Sequence, residues 1–202
     1  MSQELWVMAG RLAGNAIARR RAQTMAERDR IAARPDLSLF APVAPPLPAE
    51  RWHTGPRAQF GYPWGWVEFE PGLALEAGTE VECVLQAERP DEAVVHLQGL
   101  QIGACAPTDL LDAAAWMEEE RAKLHQFTRY APMCHLRVGG ELALAIQLSG
   151  RAPGGGEGQS VLTEVFTVHR GFLYLIVLSC PEENHLAYLQ VLWTVLGTWS
   201  WR

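Results

Sequence analysis

No stretch of this 202-residue sequence approaches the roughly 18 continuous apolar residues that a membrane-spanning helix needs. Leu5–Ala9 is too short to be the apolar region of a secretion signal, so the chain reads as cytoplasmic. The four cysteines, Cys83, Cys105, Cys134 and Cys180, show no paired spacing, which excludes a disulfide framework and agrees with reduced thiols. Catalytic signatures are absent as well. There is no nucleophile elbow, paired-histidine zinc helix, dinucleotide fingerprint or carboxylate-rich metal loop. The glycine-rich stretch Gly150–Gln159 lacks the Lys-Ser/Thr pair of a phosphate loop and reads as a plain loop. No disulfide or metal is required for stability, because a domain near this size buries roughly 70% of its unfolded surface.

The net charge of −6 conceals an asymmetry. Residues 1–34 carry seven arginines against Glu4, Glu27 and Asp29, giving +4, and the remainder carries −10. A basic arm on an acidic body suits an acidic protein surface, on a partner or on a second copy of this chain. Nucleic acid is disfavoured, since the basic run is short and the body repels phosphate.

From Gln3 to about Ala33 there is neither proline nor a β-branched run, and Leu5, Met8, Ala9, Leu12, Ala16 and Ile17 recur on one helical face. This predicts a helical arm over 1–34. Its apolar face calls for contact with its own domain or with a partner protein. Leu5, Trp6, Met8, Leu12, Ile17, Arg19, Arg20 and Arg21 are the candidate partner-binding residues. A membrane surface is disfavoured because Trp6 is the sole aromatic anchor. Pro35 stops the helix, and Pro42, Pro45, Pro46 and Pro48 make 35–50 a semi-rigid linker. The compact domain is then 51–202.

Trp52, Phe60, Tyr62, Trp64, Trp66 and Phe69 place six aromatics in eighteen residues. They read as core packing around a strand at Trp64–Phe69, although aromatic platforms also anchor peptides. Glu80–Gln86 and Ala93–Ile102 predict a hairpin about Arg89-Pro90-Asp91. Thr108 can cap a helix running to Phe127, with Leu110, Ala114, Met117 and Leu124 on its covered face. Met133–Val138 and Glu141–Ser149 flank Gly139-Gly140, the pair that a primed turn demands.

A last hairpin joins Ser160–His169 to Phe172–Cys180, whose near-continuous apolar run suits a central strand covered on both faces. Pro181 fits the first turn of a helix carrying Leu186, Leu189, Leu192 and Leu196, and Trp199-Ser200-Trp201 is extended enough for a closing strand. The remaining chemistry-bearing group is Cys134-His135 with His125 and His169. Neighbours on a regular strand point to opposite faces, so Cys134 and His135 read as structural. His53, His96 and His185 are scattered, and isolated glutamates read as surface solvation.

This order of elements, with Tyr62-Pro63-Trp64-Gly65-Trp66 at the start, Gly171-Phe172-Leu173-Tyr174 in the last hairpin and Thr198-Trp199-Ser200-Trp201 at the end, resembles the fold shared by the PsbP proteins of photosystem II, the DcrB proteins and Eag secretion chaperones, and the LpqN lipoproteins. The resemblance covers about residues 60–202. It implies an α+β fold with a single antiparallel sheet and helices packed on it. It further implies a non-enzymatic role exercised by binding another protein; the residues themselves lead us to expect no cofactor and no metal. A small apolar-ligand or lipid carrier is the alternative implied.

Overall fold

A computed structural model describes residues 46–69, 79–88, 94–101, 110–151 and 158–202. The N-terminal arm, with all eight candidate partner-binding residues, lies outside the described residues, as do the first eleven residues of the linker.

The described chain forms ten strands and two helices: β1 (Arg51–Thr54), β2 (Ala58–Tyr62), β3 (Trp66–Phe69), β4 (Thr79–Ala87), β5 (Val94–Gln101), α1 (Leu110–His125), β6 (Thr128–Val138), β7 (Glu141–Gly150), β8 (Ser160–His169), β9 (Phe172–Pro181), α2 (His185–Gly197) and β10 (Ser200–Trp201). Seven of the strands pair antiparallel in the order β3-β4-β5-β9-β8-β7-β6. The expected single sheet is corrected on one point. A second, three-stranded sheet, β1-β2-β10, stands beside the large one. Its β1–β2 hairpin escaped the sequence reading because Gly55-Pro56 and Gly61 interrupt the alternation. Its third strand is the chain terminus, 138 or more residues away from β2's last residue, Tyr62.

Both glycine-containing turns have the expected chemistry. Gly139 and Gly140 have φ of 57° and 87°, and Arg170 and Gly171 have 48° and 80°, the paired positive φ of the tight turn whose twist matches its flanking strands. β9 is central, between β5 and β8, and its alternate residues feed two separate cores. Tyr174, Ile176 and Leu178 join α2, β2 and Trp199 on one face. Leu173, Leu175 and Val177 join α1, Phe127 and Phe166 on the other. A strand lined by apolar residues on both sides gains burial from each, which is why this run tolerates no polar alternation.

Three local expectations are revised. Pro181 closes β9 and precedes a 3-10 turn at Glu182–Asn184, so α2 begins only at His185. Phe127 follows α1 and is buried beside Gly150, whose missing Cβ leaves room for its ring. The Pro63-Trp64-Gly65 segment is a turn, and β3 starts at Trp66.

The two sheets are joined by aromatic stacking. His53 lies on Phe60 with ring centroids 4.7 Å apart, Phe60 on Trp199 at 4.9 Å, Trp199 meets Trp201 edge-on at 5.2 Å, and Trp201 lies on His169 at 4.5 Å. Offset and edge contacts of this kind add about 0.5–1.5 kcal/mol each beyond the area they bury. Thr198, at the end of α2, ties that helix to the small sheet by accepting a hydrogen bond from the Gly61 amide at 2.8 Å.

Candidate functional site at the joint between the sheets

Cys134 and His135 occupy successive positions of β6, opposite Ala145 and Leu144 respectively. Cys134 enters the α2-side core, whereas Leu144 belongs to the α1 side. The structure therefore does not bring this pair together. His169 lies elsewhere, its Nδ1 3.0 Å from Glu141 and its ring on Trp201. The His125 side chain lies outside the described residues.

A different group converges at the joint. Strand alternation turns His53 of β1 and Tyr62 of β2 inward, while Trp66 and Glu68 share the facing side of β3. Cys83 of β4 arrives beside them at a register shift between Val81 and Cys83, the kind of irregularity that re-aims a side chain. His53 Nδ1 lies 2.6 Å from Glu68 Oε1. One ligand atom each from His53, Glu68 and Cys83 falls within 4.8 Å of the others. His53 and Cys83 are buried, and the Glu68 side chain is one-third (33%) exposed, so the group opens to solvent on the carboxylate side. The Tyr62 hydroxyl hydrogen-bonds to Glu68. Burial first, and then the Glu68 carboxylate, hold the phenol above its ordinary pKa. A histidine, a carboxylate and a thiol so placed can share a proton or a cation.

Outside this group, β1 and the turn before β3 each carry an exposed indole. Arg51 donates from Nη1 to the Trp66 carbonyl at 2.9 Å and lies over the Trp64 ring at 4.1 Å. Trp64 is nevertheless 65% exposed, and Trp52, the next residue along β1, is 53% exposed. The linker's end packs nearby on α2, where Thr194 Oγ1 donates to the Leu47 carbonyl at 2.9 Å.

Sequence reasoning missed the joint. In the sequence His53 and Cys83 stand among scattered histidines and thiols, and Glu68 among glutamates that read as surface solvation. The available signal was the inward parity of Trp66 and Glu68, but without β1 as a strand nothing placed His53 opposite them.

The comparisons agree with this architecture. No protein-family model matches the sequence, and no curated protein matches it. Solved structures do match. Cyanobacterial PsbP (CyanoP) from Synechocystis sp. PCC 6803 superposes with a TM-score of 0.57 at 16% identity, covering 82% of this chain and 99% of that one. LpqN of Mycobacterium tuberculosis, a protein involved in cell envelope biogenesis, gives 0.53 at 14% identity, covering 74% of this chain and 86% of its own. The chain has the PsbP/LpqN-like fold. At these identities the likeness concerns the fold alone. Among the described residues no helix is long and apolar enough to cross a membrane.

Proposed function

We propose that this chain is a non-enzymatic accessory or chaperone-like module that binds another protein, with residues 1–34 as its tether, 35–50 as the spacer and 51–202 as the body, working in the cytoplasm. The observation that carries the reading is Trp64, 65% exposed yet held under the Arg51 guanidinium. Large indoles left more than half exposed invite burial by something else. Arg51 holds Trp64 in place through its bond to the Trp66 carbonyl, so little side-chain freedom remains to be lost on binding. A tryptophan held by an arginine combines two residue types enriched at the hot spots of protein interfaces. The basic arm supplies the complementary means of reaching an acidic partner, and its Leu5, Trp6, Met8, Leu12 and Ile17 face an apolar groove on that partner. The PsbP/LpqN-like fold supports a non-catalytic role.

The test is a pull-down from native lysate with three forms: the full chain, a form lacking residues 1–40, and the W52A/W64A double variant. A discrete protein set that is lost with the arm and weakened by the double variant is expected. Removing one interface tryptophan costs about 2 kcal/mol or more, roughly thirtyfold in Kd. If both altered forms keep the same partners as the full chain, neither the arm nor the indoles engage them and the reading fails.

A further inference from the structure

We propose that His53, Glu68 and Cys83 form a binding site for a divalent metal ion of the zinc class. The donor set is the first reason. Imidazole nitrogen, carboxylate oxygen and thiolate sulfur are the three ligand types that zinc takes, at about 2.0–2.3 Å. Tetrahedral donors at those lengths stand about 3.5 Å apart. His53 Nδ1 and Glu68 Oε1 are 2.6 Å apart, and one ligand atom from each of the three residues lies within 4.8 Å of the others. The tetrahedral spacing falls between these two distances.

The second reason is the way the site is built. The histidine comes from the small sheet, and the carboxylate and thiol come from the large one. Each is fixed by its strand, and Cys83 is aimed by the irregularity in β4. Phe60 stacks on the His53 ring and sets its plane, and the Tyr62 hydroxyl bonds to Glu68, the outer contact that orients a ligating carboxylate. The partly exposed Glu68 side gives the ion a way in from solvent. Three protein ligands leave the fourth position on that side for water or for a donor from a bound partner.

Charge is the third reason. A divalent ion held by one thiolate, one carboxylate and a neutral imidazole makes an electrically balanced group, which suits a largely buried location. Binding requires the Cys83 thiol to lose its proton and the His53 ring to be neutral, so affinity rises with pH. Because the ligands come from both sheets, the ion would fasten the small sheet to the large one.

The experiment uses the full chain without an affinity tag, stripped of metal and titrated with cobalt(II), which reports tetrahedral geometry by visible d–d bands and thiolate ligation by a near-ultraviolet charge-transfer band. One equivalent giving both signals, displaced by zinc, is expected. C83S should abolish the charge-transfer band. E68Q, which alters a partly exposed side chain and should fold, should weaken cobalt binding by at least the roughly 10–100-fold typical of losing even an outer partner of a metal ligand. Should C83S fail to fold by circular dichroism, X-ray absorption of the zinc-loaded wild type decides, with one sulfur and two or more nitrogen or oxygen ligands expected. Absence of a cobalt spectrum, a charge-transfer band that survives C83S, unchanged affinity in E68Q, or a sulfur count other than one overturns the site.

Discussion

Arg121 of α1 directs both Nε and Nη2 at one carboxylate oxygen of Glu164, at 3.0 and 2.8 Å, and Glu164 is completely buried in the middle of β8. A carboxylate at that depth is tolerable because the helix above supplies its counter-charge. The pair ties α1 to the large sheet beside its buried residues Ala113, Ala114 and Met117.

Breaking the pair leaves a buried charge. R121A is therefore expected to destabilise by about 3–5 kcal/mol, whereas R121M/E164L, which removes both charges and keeps the volume, should lie near wild type or above it. Urea unfolding of the two variants beside wild type measures the difference. Equal losses in both would show that the ion pair has no special cost when broken.

Gly139 and Gly140 share a turn but not a neighbourhood. A Cβ at Gly139 would meet Trp201 at 2.7 Å and Trp199 at 2.9 Å, while one at Gly140 would meet nothing within 4 Å. Both substitutions to alanine bear the cost of positive φ, about 1–2 kcal/mol. G139A should add an overpacking cost of typically 1–3 kcal/mol, so its thermal midpoint should fall clearly below that of G140A.

His185, the first residue of α2, is buried against Gln147 and Thr163, with Nε2 3.3 Å from Gln147 Nε2 and 3.2 Å from Thr163 Oγ1. Gln147 Nε2 donates there, so His185 Nε2 accepts and the ring is neutral. Burial lowers its pKa below the ordinary 6.5. The unfolded chain then binds the proton more readily than the folded one, so this residue's contribution to stability is complete above the unfolded value and is lost as pH falls below it. Unfolding free energy followed by urea titration should drop on acidification in wild type, and less steeply in H185F. Identical slopes would assign the dependence to other groups.

Cys180 sits on the α2 side of β9, where burial pushes its thiol up to about 12. Since the thiolate is the nucleophile, alkylation of Cys180 in the native chain should be very slow and should become fast in denaturant. Peptide mapping by mass spectrometry after timed iodoacetamide treatment measures this. Rapid native labelling would mean that α2 opens readily.

What the sequence could determine was whatever depends on neighbours along the chain. The Gly139-Gly140 and Arg170-Gly171 turns, the pairing of the two strands that each turn joins, and the two-faced burial of Phe172–Cys180 all follow from turn chemistry and alternation within about ten residues. The opposition of Cys134 and His135 follows from strand parity alone. The small sheet did not follow, because β2 pairs with β10 across more than 130 residues and its hairpin carries too many glycines to alternate. The same holds for the joint. His53, Glu68 and Cys83 each looked unremarkable in the sequence, since their meeting depends on how two sheets pack together, and packing between sheets leaves no periodic trace in either strand. Tertiary structure decided which histidine faces a carboxylate and a thiol, just as it placed Arg121 above Glu164.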